Sequence, residues 1–116
     1  EEYQNVSFDD FVEYSKSMFE YWTEDDFASS FRKMLTIEQF RSEEMQKLYQ
    51  QYLVAGPASY VKALFESIGI VNAKDKAARF YAVMHFYYSL YDGAADKEKV
   101  KVEFVSAIKS LVQDLA

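Results

Sequence analysis

The chain has 116 residues, of which half are hydrophobic and 18% aromatic, with a net charge of −6 and no cysteine. Such a length gives one domain with a buried core, and the composition excludes a disordered segment, a disulfide framework and a thiol nucleophile. Residues 1–30 hold nine acidic groups against the single Lys16, whereas the remainder carries a small basic excess, so no basic stripe is available to grip a phosphate backbone.

With three Gly and one Pro, breakers are scarce, and apolar residues recur at helical spacing nearly everywhere. Ser7, followed by Asp9 and Asp10, is the expected N-cap of a first helix with Phe8, Phe11, Val12, Phe19 and Trp22 on one face. Thr23 with Asp26 resembles a capping box and restarts the pattern as Phe27, Phe31, Met34 and Leu35, drifting to Ile37 and Phe40. Ser42, before Glu43 and Glu44, opens a third helix whose face is Met45, Leu48, Tyr49, Tyr52 and Leu53. Gly56-Pro57 punctuates the chain, with Pro suited to the first turn of a fourth helix. That helix shows Tyr60, Val61, Leu64, Phe65 and Ile68, and it stops at Gly69, a natural left-handed cap. Asn72 with Asp75 is expected to cap the fifth helix, Gly93 to end it, and Asp96 to cap a sixth carrying Val100, Phe104, Val105, Ala107, Ile108, Leu111, Val112 and Leu115. The fold class is therefore all-α: about six helices with short links, one domain over residues 1–116, no convincing strand and no repeat.

The stretch Asn72–Tyr91 organises the rest. At about 100° per residue its bulky groups (Phe80, Tyr81, Val83, Met84, Phe86, Tyr87, Tyr88, Leu90 and Tyr91) fill a broad arc. Ala78, Ala82 and Ser89, with His85 at the edge, form a small one. A helix apolar almost all round must be covered on all sides. The small arc lets another helix approach closely, and either a neighbour within the chain or the mate in a homodimer accounts for it; the total apolar area favours the dimer.

Catalytic signatures are sparse. His85 is the only histidine, the residue three before it is Ala82 where a di-iron bundle needs Glu, and the acidic pairs fall at helix starts. No phosphate-cradling loop is present, and neither enzyme activity, metal nor cofactor is expected. The aromatic set is more informative. Trp22, Phe31, Tyr49, Tyr52, Tyr60, Phe80, Met84, Tyr87 and Tyr88 lie on or beside inward stripes and suit a pocket for a small hydrophobic or aromatic ligand. The same stripes would equally fill a dry core. His85 reads as an interface histidine, a ligand contact or a pH-sensitive group.

The runs FASSFRKMLTIEQFRSEEMQKLYQQYL, GPASYVKALFESIG and FYAVMHFYYSLYDG, followed by an amphipathic helix, resemble the C-terminal half of tetracycline-repressor-like (TetR family) transcriptional regulators. The resemblance implies an all-α, antiparallel effector-binding and dimerisation domain, working in the cytoplasm, whose last two helices pair across a twofold axis as a four-helix bundle. Ala78, Ala82, His85, Ser89, Phe104, Ile108, Leu111 and Leu115 would form that interface. DNA would be met only through an N-terminal helix-turn-helix; none precedes Ser7, so the expectation is a C-terminal piece of a longer regulator. No apolar run approaches the roughly 20 residues that span a bilayer, and no membrane partner is expected. The alternative is a stand-alone helical protein-interaction module with an aromatic groove.

Overall fold

A computed structural model describes residues 8–115, and the expected cap at Ser7 lies outside them. Six helices follow in order: α1 (Phe8–Glu24), α2 (Asp26–Glu38), α3 (Glu43–Leu53), α4 (Ala55–Ser67), α5 (Ala73–Gly93) and α6 (Lys97–Gln113). No strand occurs among the described residues. Only Val54 separates α3 from α4, which together make one bent rod. The molecule is a flat slab of 40 × 34 × 21 Å.

The links stop and restart the helices by local chemistry. Ser42 Oγ accepts from Met45 N at 3.2 Å and Asp96 Oδ1 from Lys99 N at 3.1 Å, as expected of N-caps. Two caps differ. Asp25, and not Thr23, caps α2, its Oδ2 accepting from Ala28 N at 2.9 Å, while Thr23 Oγ1 donates back to Phe19 O at 2.7 Å inside α1. A carboxylate at the start of α2 also meets the helix dipole, which a hydroxyl does not. Asn72 precedes α5 in the left-handed region (φ 58°) and makes no side-chain cap bond; its short polar side chain tolerates that backbone. Gly69, at φ 81°, ends α4 as expected, with Ile70 N donating to Phe65 O at 3.0 Å. At the α3–α4 bend a Cβ on Gly56 would fall 1.8 Å from Gln51 O, so only glycine permits the bend.

α5 lies at the centre, packed on α4, α6 and α1. Ala77, Phe80, Tyr81, Met84, Tyr88 and Tyr91 turn into the main core, meeting Phe11 and Phe19 of α1, Phe65 of α4, and Val100, Phe104 and Ile108 of α6. Phe19 and Phe104 stack with centroids 4.2 Å apart, and neither touches solvent. Removing such a ring from water contributes about 2–3 kcal/mol. A second, smaller core joins α2 to α3 through Leu35, Tyr49 and Leu53.

The structure corrects the expected face of α2. Phe27, Met34 and Ile37 point outward, as does Phe40 beyond the helix end at 85% exposed, while Leu35 of the expected face turns in together with Ala28, Ser29 and Arg32. Arg32 explains the rotation. Its Nη1 and Nη2 donate to Asp92 Oδ2 and Oδ1 at 2.9 and 2.6 Å, and its Nε donates to Trp22 O at 3.0 Å. Trp22 O belongs to the last turn of α1, where carbonyls have no helical partner, and Asp92 sits at the end of α5, where an acid is unfavourable alone. One guanidinium therefore settles two helix ends. Lys97 Nζ does the same for α5 by donating to Tyr91 O at 2.7 Å. Lys101 ties α6 to α1 through Glu24 at 2.7 Å and Glu20 at 3.2 Å, and its ammonium pKa is raised chiefly by the bond to Glu24.

A candidate aromatic cleft and the exposed face of the fifth helix

The α3–α4 bend holds the start of α4 away from α1 and leaves a cleft of about 300 Å³ over α5. Its floor is Phe80, Tyr81 and Met84 of α5; Tyr14, Met18 and Trp22 of α1 form one wall; Gln51 and Tyr52 of α3 with Gly56, Pro57, Tyr60 and Val61 close the other side. No charged side chain lines it. The polar groups are four phenols, the Trp22 indole N–H and the Gln51 amide. Burial, then the neighbouring Tyr60 phenol, raises the pKa of Tyr14, so the Tyr14 ring stays neutral and can donate a hydrogen bond. Burial raises Tyr81 further, with Tyr49 adding to it, and the Tyr81 hydroxyl donates to Leu53 O at the bend. Phenol hydroxyls around an apolar floor suit a flat, uncharged molecule with one or two polar atoms.

Five of the nine expected pocket residues, Trp22, Tyr52, Tyr60, Phe80 and Met84, line this cleft. The other four stand elsewhere. Phe31 lies edge-on to Tyr52 at 5.4 Å, behind the wall. Tyr87 packs on Phe104, and Tyr49 and Tyr88 serve the opposite side of α5. Adjacent positions on one helix cannot share a direction, and Tyr87 and Tyr88 point about 100° apart. Tyr14, Met18, Gln51, Val61 and Tyr81 line the cleft as well, although none of them belongs to the expected pocket set. Tyr14 and Met18 follow Phe11 at helical spacing on α1 and carried the only available signal.

On the outer side of α5, Ala78 and Ala82 are exposed beside Phe86, which is 58% exposed. With Tyr49, Val54, Ala58, Tyr81 and His85 they line an open trough of about 570 Å³. Ser89 instead opens, with His85, onto a separate polar cleft of about 390 Å³ between α2 and α5. Phe104 and Ile108 are fully enclosed and Leu115 is buried, while Leu111 is half-buried. The expected place of Phe104, Ile108 and Leu115 on a dimer surface is therefore corrected: these side chains of the α6 stripe are spent on their own chain, Phe104 against Phe19 and Tyr87. Tyr81 lines both the aromatic cleft and the trough, so one ring connects the two.

His85 sits between trough and polar cleft, its Nε2 3.3 Å from the Tyr49 hydroxyl, with Tyr81, Tyr88 and Arg32 around it. Burial first, then the charge of Arg32, lowers its pKa below 6.5. Below pH 6.5 the unfolded chain takes up a proton there that the folded chain still refuses, so folding weakens until the lower folded pKa is passed. His85→Gln is expected to remove that component. Urea unfolding should show wild type losing stability relative to the variant below pH 6.5, with parallel curves above pH 7.

No helix among the described residues is long and apolar enough to cross a membrane, and none of their His, Asp and Glu side chains group to hold a metal ion. Comparison with family models, with curated proteins and with solved structures finds no match to this chain, and nothing in it identifies a TetR-like domain.

Proposed function

We propose that this chain is a ligand-sensing helical domain that pairs with a second copy of itself through the outer face of α5. In the TetR-like frame its sequence resembles, a helix-turn-helix elsewhere in a longer cytoplasmic regulator would carry the DNA contact. The reading rests on one observation: an uncharged, phenol-rimmed cleft of about 300 Å³ whose floor is the same helix that exposes Ala78, Ala82 and Phe86. That volume is at the lower end of the range for small-molecule sites. A molecule in the cleft presses on Tyr81, which also lines the trough and holds the carbonyl of Leu53 at the α3–α4 bend. Ligand binding thereby favours one arrangement of the trough and of any copy seated on it. A differential affinity of about 1–3 kcal/mol is enough for ordinary allosteric control.

Calorimetry with 4-phenylphenol, a neutral probe, is expected to give saturable binding that Met84→Ala weakens about tenfold. Ala82→Arg is expected to turn a dimer into a monomer in light scattering, since it places a charge in a closely packed seam. Equal probe affinity in wild type and Met84→Ala would remove the cleft from the account, and an unaltered dimer in Ala82→Arg would remove the α5 face.

A second reading, a protein-interaction module, is favoured by the outward row of Phe27, Met34 and Ile37 on α2, continued by Phe40 just beyond it. A chain that stays monomeric and binds an amphipathic helical peptide, but no small aromatic, would support that reading.

A further inference from the structure

We propose that the polar cleft between α2 and α5 is a second ligand site, built for a small organic monocarboxylate. Its floor is apolar, from Leu53 and Tyr88, and Ile37 stands at its edge. Arg32 lies on one side with its guanidinium carbon 5.1 Å from the centroid of the Tyr88 ring, and Lys33, Thr36 and Ser89 complete the polar lining. Two cations, Arg32 and Lys33, face one anion, Asp92, so the cleft has a single excess positive charge while His85 is neutral. Arg32 places three of its five N–H groups on Asp92 and Trp22, and two remain for an incoming acceptor. A structural ion pair needs only Arg32 and Asp92. It leaves unexplained a second cation on the same cleft and an open volume of about 390 Å³, within the range of ligand sites.

The charge balance selects the ligand class. One excess charge suits a monoanion, whereas a phosphate dianion would also have to face the Asp92 carboxylate. The Leu53 and Tyr88 floor calls for an apolar body behind the charged end, and an aromatic or branched carboxylic acid supplies both. Lys33 and Arg32 would hold the carboxylate by charge-assisted hydrogen bonds, with Ser89 offering a neutral donor. The site is independent of the aromatic cleft, because Arg32, Lys33, Ser89 and Asp92 line only this one.

The test is a calorimetric titration of the whole chain with sodium benzoate at fixed ionic strength, beside benzamide as the neutral isostere and inorganic phosphate. Saturable benzoate binding is expected in the millimolar range or tighter, with benzamide about tenfold weaker. Lys33→Met, an exposed change that spares the Arg32–Asp92 pair, should weaken benzoate about tenfold and leave benzamide unaltered. Val61→Phe, which narrows only the aromatic cleft, should leave benzoate affinity unchanged, so failure of one site is separable from failure of the other. Absence of saturable benzoate binding would overturn the assignment. So would equal affinity for benzamide, tighter binding of phosphate, or indifference to Lys33→Met.

Discussion

Asp92→Ala is expected to lower the unfolding free energy by about 3 kcal/mol, read as a shift of the urea midpoint at unchanged slope. The variant leaves the Arg32 guanidinium, on a residue only 5% exposed, with a backbone carbonyl as its one remaining hydrogen-bond partner. Uncompensated burial of that charge sets the size of the effect, more than the lost attraction does. The Asp92 side chain is 28% exposed, so water relieves part of the penalty and the loss falls at the lower end for broken buried pairs. The double variant Arg32→Met/Asp92→Leu should recover most of it, because two apolar groups of similar size need no partner. A double variant as weak as the single one would mean that the bond from Arg32 to Trp22 O, and not the ion pair, holds α2 against α1.

Phe104→Ala is expected to cost about 4 kcal/mol, the largest effect of any single truncation proposed for this chain. The ring is fully enclosed, stacked on Phe19 at 4.2 Å and met edge-on by Tyr87 at 5.8 Å. Those neighbours are themselves held by α1 and α5, so the cavity cannot collapse cheaply. Phe104→Leu should cost about 1–2 kcal/mol and keep the fold. At concentrations where both proteins are folded, light scattering should give Phe104→Leu the mass of wild type, since the residue reaches no surface. A change of mass there would return α6 to the subunit interface.

Much of this fold is legible in the sequence because its helix ends are written in short-range chemistry. Ser42, Asp96, Pro57 and Gly69 act within three or four residues, and each does what its type predicts. The stripe of α6, from Val100 through Phe104 and Ile108 to Val112, is equally plain, because a wide apolar face opposite lysines has one way to turn. What covers that stripe is another matter. Whether a greasy helix meets its own chain or a copy depends on contacts between residues such as Phe19 and Phe104, 85 positions apart, and helical periodicity carries no information about them.

The facing of α2 was hidden for a related reason. Its outward apolar residues, Phe27, Met34 and Ile37, outnumber the inward apolar pair of Ala28 and Leu35, so a count of apolar positions selects the stripe of Phe27 and Met34. The helix nevertheless turns Arg32 inward, because the Asp92 carboxylate lies 60 residues later at the end of α5 and the carbonyl of Trp22 at the end of α1 needs a donor. A charged residue flanked at helical spacing by Ala28 and Leu35 is the one local sign of that pairing. For the cleft, residue type indicated which side chains suit a neutral aromatic ligand. The bend at Gly56 decided which of them converge, separating Tyr52 and Tyr60 from Tyr49 and Tyr88.

Trp22 is the only tryptophan and it lines the cleft, so its emission reports occupancy directly. Titrating the whole chain with 4-phenylphenol while following Trp22 fluorescence is expected to give a saturable change in wild type and a much weaker one in Val61→Phe, whose added ring takes up the space beside Tyr60. A linear, unsaturable response, or the same curve in both proteins, would contradict a ligand cleft at this place.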